Sequence, residues 1–481
     1  DLDGSGPVEF VLGAGETRIN TKEKDTGAST VGATDLIVDA TALDNTLTVS
    51  GDADVEVNTA STNVDASGST GELTVSSGTD EVFTVTTGTD ATTILSNGTS
   101  TEVTVDATNL VNDGSGDTYE LSAQNNGNVT INNLDADVQA GLLSGTLVVS
   151  TKADANVSVV AGSSTNIIES NGTSGDVVVD ASAASSTDFF YLDGSGDITL
   201  NNVGTGVTVD ANGSSQAGGQ DQELDGRLIV DLVDDASDVE IRTGTAETRV
   251  GGDQSGGGTL VTQIDASSLA DDTNLVLTGA TDFVVTDLIG DLVTTPDSSA
   301  TGTTAATGTL SVTTSDSSAI SRDINIETSE GATTINSGTN PGETINVDAA
   351  PLQDNNLLSV SGDDTFNITD LAGDLFANSS IDTNATVTLA DAADNQIILD
   401  TDRKIAVNAA NLASTGIFVT GDDDTTTVTI NSGDTDIDAS GISGTNSGDA
   451  FIGEMVINTA ALFGASGTPG MTVTTGTGST T

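Results

Sequence analysis

The sequence contains no cysteine, no histidine and no tryptophan in 481 residues, and its aromatic residues are 10 Phe and 2 Tyr. Without cysteine or histidine the chain forms no disulfide, binds no metal through thiolate or imidazole, and has no Cys–His or Ser–His–Asp catalytic group. Any metal site must therefore use oxygen ligands, which favours calcium or magnesium.

Basic residues are scarce as well: 10 Lys and Arg stand against 73 Asp and Glu, which gives a net charge of −63. This charge repels nucleic acid and anionic membrane surfaces, so we expect neither as a partner. No apolar run approaches the roughly 18 residues that span a bilayer, and the first residues lack the apolar core of a signal peptide. We expect a soluble chain without membrane insertion, and a processed product or a piece of a longer protein.

Apolar residues make up 35% of the chain, and Val, Ile and Thr recur in short alternating runs. In Leu73-Thr74-Val75 and Phe83-Thr84-Val85 the apolar residues fall on one face and threonine on the other. Gly-containing turns follow each run, and disordered chains are poor in β-branched residues. The pattern predicts a nearly all-β fold, with short helical candidates only near 268–270 and 460–463.

A repeated phrase, Val/Ile-Asp-Ala, runs through the chain. Its aspartates are Asp39, Asp106, Asp180, Asp265, Asp348 and Asp438. Successive members lie 67, 74, 85, 83 and 90 residues apart, so about six units account for the chain. The phrase predicts a turn in which the aspartate accepts backbone N–H bonds rather than binding metal. Asn408 takes its place in Val407-Asn408-Ala409, which favours hydrogen bonding over charge.

These features predict an all-β parallel β-helix or β-roll-like solenoid built from about six repeats of 67–90 residues. A string of small β-sandwich domains is the main alternative, and a propeller or barrel is a further one. Segments 213–226 and 294–308 are poor in apolar residues and read as loops or linkers. They divide the chain into β-repeat regions 1–212, 227–293 and 309–481.

Acidic turns are the main chemical feature, because carboxylates spaced around a glycine can converge on calcium. The candidate ligands are Asp1, Asp3, Asp52, Asp54, Asp113, Asp117, Asp193, Asp197, Asp363, Asp364, Asp422, Asp423 and Asp424. The alternative is that each pair is an ordinary turn former with solvated charge. We predict calcium as the cofactor.

Two other functions are disfavoured by the sequence. A glycosidase needs one distinctive carboxylate pair, whereas acidic pairs occur throughout this chain, so we expect no enzyme. An ice-binding sheet needs Thr-x-Thr motifs in unbroken register. Motifs such as Thr84-Val85-Thr86 occur here in repeats of unequal length, so we do not expect ice binding.

The repeated phrases resemble the β-strand-repeat regions of large secreted bacterial surface proteins. They are Val-Asp-Ala-Ser/Thr-x-Leu, Leu-Thr-Val-Ser-Gly at 47–51 and Asp-Leu-x-Gly-Asp-Leu at 287–292. That group includes surface-layer proteins and giant adhesins associated with calcium-binding RTX modules. The tandem Gly-Gly-x-Gly-x-Asp nonapeptide of RTX modules is missing, and 251–258 fails its spacing.

The resemblance implies a structural protein at the extracellular cell surface that self-assembles into a layer, sheath or filament, with calcium between acidic turns. Its expected partners are copies of itself and cell-surface polysaccharide. The alternative is the rod or stalk of a giant adhesin, which would remain monomeric with calcium present.

Overall fold

The described part of the chain, in a computed structural model, covers most of the first 377 residues and isolated strands beyond them. It comprises residues 8–12, 15, 17–20, 36–110, 120–213, 223–234, 236–251, 261–295, 305–315, 322–337, 343–353, 356–362 and 364–377, and then the strands after residue 384 that are given below. The chain divides into two compact units, Asp1–Ala246 and Glu247–Thr481. Of the predicted linkers, residues 214–222 and 296–304 lie outside the described residues.

The first unit contains strands β1 to β22. Its odd-numbered strands are Val8–Val11 (β1), Leu36–Asp39 (β3), Val55–Ala60 (β5), Leu73–Ser77 (β7), Thr92–Ser96 (β9), Leu121–Asn125 (β11), Val138–Leu143 (β13), Val157–Val160 (β15), Asp176–Asp180 (β17), Asp197–Val203 (β19) and Leu228–Leu232 (β21). Its even-numbered strands are Thr17–Asn20 (β2), Leu47–Gly51 (β4), Val64–Ser69 (β6), Val82–Thr86 (β8), Glu102–Asp106 (β10), Asn128–Leu134 (β12), Leu147–Thr151 (β14), Asn166–Ser170 (β16), Phe189–Gly194 (β18), Thr208–Asp210 (β20) and Val239–Arg242 (β22).

The second unit contains strands β23 to β43. Its odd-numbered strands are Thr248–Gly251 (β23), Asn274–Leu277 (β25), Asp291–Val293 (β27), Asp323–Glu327 (β29), Thr344–Asp348 (β31), Thr365–Leu371 (β33), Ala385–Leu389 (β35), Lys404–Ala409 (β37), Thr427–Ser432 (β39), Glu454–Asn458 (β41) and Ser479–Thr480 (β43). Its even-numbered strands are Val261–Asp265 (β24), Asp282–Leu288 (β26), Leu310–Thr314 (β28), Thr333–Asn336 (β30), Leu357–Ser361 (β32), Asp374–Ala377 (β34), Ile397–Asp400 (β36), Gly416–Gly421 (β38), Asp436–Ile442 (β40) and Val473–Thr474 (β42).

Each strand pairs in parallel with the strand two places further along its unit. The odd-numbered strands of a unit thus form one sheet, and the even-numbered strands form the other, so that one coil holds two strands. The described residues contain no helix. This arrangement confirms the predicted all-β parallel solenoid, and the string of antiparallel sandwich domains was wrong for both units.

The core of each unit lies between its two sheets and is built from stacked β-branched side chains. In the even-numbered sheet of the first unit, Val85, Val105, Ile131, Val149 and Ile168 stand in register on successive strands, and all are buried. Alternation along each strand directs its neighbours outward, because successive side chains point to opposite faces. Parallel pairing then repeats the same environment at every coil, which suits a chain with few aromatic residues.

Candidate functional site: the acidic corners

The aspartate of the repeated phrase ends a strand and accepts hydrogen bonds from the residue two places later. Asp39 Oδ1 accepts the backbone N–H of Thr41 at 3.0 Å and its hydroxyl at 2.5 Å. Asp106 Oδ1 accepts the corresponding groups of Thr108 at 3.2 and 2.5 Å. The equivalent backbone bonds reach Asp180, Asp265 and Asp348, each at 3.0 Å. The predicted role of this aspartate as a turn acceptor is confirmed.

The rest of the phrase holds the corner against the core. The alanine after the aspartate is buried, as in Ala40 and Ala107, and so is the leucine three residues later, as in Leu43 and Leu110. The leucine N–H donates to the alanine carbonyl, at 3.1 Å in the first case and 3.0 Å in the second. The phrase is therefore a complete turn with its own apolar anchor.

A β-bulge on the next coil faces each corner. Its central residue has a left-handed backbone: Thr59, Asn133, Asn202, Asp287 and Asp370 have φ values of 56°, 57°, 61°, 53° and 52°. Asparagine and aspartate adopt this conformation more readily than most residues. The side-chain amides of Asn133 and Asn202 donate to Asp106 and Asp180, at 3.2 and 3.0 Å. Corner and bulge thus bond one coil to the next.

These bonds favour the ionised carboxylates of the corners. The Thr41 hydroxyl, with the Thr41 backbone N–H, lowers the pKa of Asp39. The Thr108 hydroxyl does the same for the pKa of Asp106, against a smaller opposing effect of burial. For Asp180, burial pushes the pKa upward, but the Asn202 amide and the Ser182 bonds outweigh it and the pKa is lowered. The corners therefore hold their charge by local hydrogen bonding.

Several predicted calcium ligands lie outside the described residues. They are Asp1, Asp3, Asp113, Asp117, Asp363, Asp422, Asp423 and Asp424. The remaining candidates, Asp52, Asp54, Asp193, Asp197 and Asp364, are described. Within the described part of the chain, no group of three acidic side chains is arranged to hold a metal ion.

Three of the described candidates bond to backbone N–H groups of a neighbouring coil. Asp54 Oδ1 accepts from Glu72 at 3.0 Å, and Asp197 Oδ1 accepts from Arg227 at 2.8 Å. Asp364, which is 1% exposed, accepts from Glu343 N at 2.9 Å. These carboxylates therefore act as links between coils.

Asp52 and Asp193 differ from those three. Asp52 is half-buried, and among the described residues its Oδ1 is buried with no hydrogen-bond partner. Asp193 is 3% exposed and stands in register with Glu169. Burial raises the pKa of Asp193, and the charges of Glu169 and Asp225 raise it further, against the Gly194 N–H. The Asp193–Asp197 turn thus gives its two carboxylates different partners, since Asp197 pairs with the Arg227 guanidinium at 3.1 Å.

Asp193→Asn is expected to stabilise the first unit at neutral pH. The pKa of Asp193 lies above its ordinary value of 3.8. The protonated Asp193 side chain therefore contributes to stability when the pH is below 3.8, and this contribution is lost as the pH rises through the folded pKa. Asp180→Asn should do the opposite, because the pKa of Asp180 is lowered and its contribution is lost as the pH falls through the folded pKa. Thermal unfolding followed by circular dichroism at about pH 3 and pH 7 measures both. Equal shifts for the two variants at neutral pH would contradict this.

Sequence reasoning missed an outward group of apolar residues near Asp193. The rings of Phe189 and Tyr191 are stacked with centroids 6.0 Å apart and an angle of 7°. Phe189 is 39% exposed. Tyr191 stands in register with outward Ile167, and Ile167 with Val148. The signal in the sequence is that apolar residues occupy the outward positions of three strands where threonine stands elsewhere.

Comparisons with known proteins give no match: no family model fits the chain, and neither a curated protein nor a solved structure is significantly similar. In the described part of the chain, no helix has the length and apolar character to cross a membrane.

Proposed function

We propose that this chain is a structural extracellular protein that self-assembles into a surface layer, sheath or filament, with calcium neutralising its acidic surface. The observation that carries the proposal is the hydrogen bond between the corner aspartate and the bulge asparagine of the next coil, which two of the five described corners make. Asn133 donates to Asp106 and Asn202 donates to Asp180, at 3.2 and 3.0 Å. The most repeated residues of the sequence thus connect coils, as a scaffold requires.

The repeat itself supports a scaffold built from copied units. In the first unit Asp39, Asp106 and Asp180 end strands β3, β10 and β17, which are seven strands apart. In the second unit Asp265 and Asp348 end β24 and β31, again seven apart. We infer that the units marked by these five aspartates are copies of a seven-strand segment, with insertions in the turns. The sixth aspartate, Asp438, lies within β40, nine strands after β31, and does not fit this interval.

Net charge sets the condition for assembly. Copies at −63 repel one another, and at physiological ionic strength screening acts only beyond about 8 Å. Close packing therefore requires cations at the interface. Calcium suits this role because it binds carboxylate oxygens in flexible geometry.

The proposal is tested by light scattering and electron microscopy of the purified chain. Calcium is titrated from chelator to about millimolar concentration at fixed ionic strength, with magnesium as the control. We expect ordered layers or filaments with calcium, which dissolve in EDTA. Equal assembly with magnesium would replace specific calcium binding by general charge neutralisation. A chain that remains monomeric throughout would overturn self-assembly in favour of the adhesin rod.

A further inference from the structure

A row of hydrogen-bonded side chains crosses four strands of the odd-numbered sheet of the second unit. Asn325 Nδ2 donates to Asp291 Oδ2 at 2.9 Å, and the Asn325 backbone N–H donates to Asp291 Oδ1 at 2.8 Å. Asn346 Nδ2 donates to Asn325 Oδ1 at 3.1 Å, and Asn367 Nδ2 donates to Asn346 Oδ1 at 3.0 Å. The four residues lie on β27, β29, β31 and β33. We call this row the amide ladder.

Every bond of the amide ladder has the same direction. The later strand donates and the earlier strand accepts, so the row ends at the Asp291 carboxylate. A hydrogen bond to an ionised acceptor is stronger than one between neutral groups, and aligned hydrogen bonds polarise one another. The carboxylate therefore strengthens the first bond directly and the other two through the aligned amides.

The core residues of these strands do not distinguish the observed register from one shifted by two residues. Strand β29 buries Ile324 and Ile326, and β31 buries Ile345 and Val347. Side chains two residues apart on a strand share a face, so a shift of two residues again places one branched aliphatic side chain beside another. Only a shift of one residue would turn the core face outward. The hydrophobic pattern therefore needs a second signal to specify the register.

Charge by itself favours a shifted register. In the observed register Glu327 stands opposite Asp348, and like charges directly opposite each other destabilise a pair of strands. A shift of two residues in either direction would separate these carboxylates. What the observed register gains is the amide ladder, because only this register sets Asn346 opposite an asparagine on both β29 and β33.

We propose that the amide ladder selects the strand register in this part of the second unit. A single asparagine has this role in coiled coils, where a mismatched register leaves its amide without a partner. Stacked asparagines likewise hold identical strands in register in cross-β sheets. The proposal concerns one chain and does not depend on assembly, so it is tested on the full chain in chelator.

A disulfide can report the register, because the chain has no cysteine of its own. Asp323 and Thr344 stand opposite each other, at the roughly 4.8 Å separation of neighbouring strands, which a disulfide can bridge. Glutathione buffers give the effective concentration of the two thiols in D323C/T344C. Adding Asn346→Thr should lower it at least about tenfold, or about 1.4 kcal/mol, although threonine is the better strand former.

Asn274→Thr is the matched control for this substitution. Asn274 stands opposite Asp291 on β25, in the same outward row, and within the described part of the chain its amide makes no hydrogen bond. N274T should leave the effective concentration unchanged. Asp291→Asn keeps the shape of the side chain but removes its charge and one acceptor, so we expect an intermediate loss. Circular dichroism melting shows which variants fold, and D291N carries the test if N346T does not.

Two further pairs detect the shifted registers directly. D323C/N346C and E327C/N346C join positions that are diagonal in the observed register and become opposite after a shift of two residues, one pair for each direction. Diagonal Cα atoms lie about 8 Å apart, beyond the reach of a disulfide. Both pairs also remove the Asn346 amide, so we expect at least one of them to close.

Three results would overturn the proposal. They are an unchanged effective concentration in the folded ladder variants, an equal loss in N274T, and the failure of both diagonal pairs to close. The last result would make the amide ladder an ordinary stabilising contact, in a register that the turns already fix. Closure of a diagonal pair together with a loss confined to the ladder variants supports register selection.

Discussion

Gly226→Ala is expected to lower the free energy of unfolding of the first unit by about 3 kcal/mol. A Cβ at this position would lie 2.0 Å from the carbonyl oxygen of Gly196 and 2.4 Å from its carbonyl carbon. Both are backbone atoms of the preceding coil, so no rotamer change can relieve the overlap. The two coils would have to separate locally, which breaks the parallel hydrogen bonds between β19 and β21.

Gly204→Ala is the matched control in the same unit. No atom lies within 4 Å of a Cβ at Gly204, and its backbone is outside the left-handed region. This change should leave stability unaltered or raise it by about 0.4–1 kcal/mol, since alanine restricts the unfolded chain. Chemical denaturation followed by circular dichroism gives both values. Equal midpoints for the two variants would show that coil spacing tolerates the additional methyl group.

Arg322→Ala is expected to destabilise the second unit by about 3–5 kcal/mol. The Arg322 and Glu343 side chains are 5% and 6% exposed, and Arg322 Nη2 lies 2.8 Å from Glu343 Oε1. Arg322 Nε donates to the same oxygen at 3.1 Å. Removing the guanidinium leaves the Glu343 charge buried beside Asp364, which is 1% exposed. Water cannot reach the carboxylate to replace the lost partner.

Two comparisons isolate the buried charge as the cause. Arg249 pairs with Glu247 at 2.6 Å but is 42% exposed, so Arg249→Ala should cost less than about 1 kcal/mol. Replacing both members of the buried pair, as Arg322→Met with Glu343→Leu, should recover much of the loss, because the Glu343 carboxylate is then no longer buried without its guanidinium. Urea denaturation of the four proteins tests this. A loss in R322A that the double variant shares in full would point to packing instead of charge.

Local signals in the sequence were sufficient for the strands and the corners. Alternation in Leu73-Thr74-Val75 follows from the two-residue period of a strand and needs no knowledge of the partner strand. The acceptor role of Asp106 likewise depends on a residue only two places away. Asn408 in the same phrase was informative because it keeps the oxygen and lacks the charge.

Contacts between coils were not predictable in the same way. Arg322 and Glu343 are 21 residues apart, and Asn133 and Asp106 are 27 apart. Their meeting depends on the length of every turn between them, which composition does not give. For the same reason the burial of Asp193 beside Glu169 was missed, and Asp193 and Asp197 were grouped as one site although they have different partners.

Successive corners lie seven strands apart, and this odd interval sets the spacing of surface features. In the first unit Asp39 and Asp180 lie on the odd-numbered sheet, while Asp106, midway between them in strand count, lies on the other. A segment of seven strands therefore exchanges the two faces at each copy and restores them at the second. Any outward residue inherited with the segment returns to the same face only after seven coils, or about 34 Å. The proposed duplication of a seven-strand segment would thus produce a pattern on each face with twice the period of the sequence.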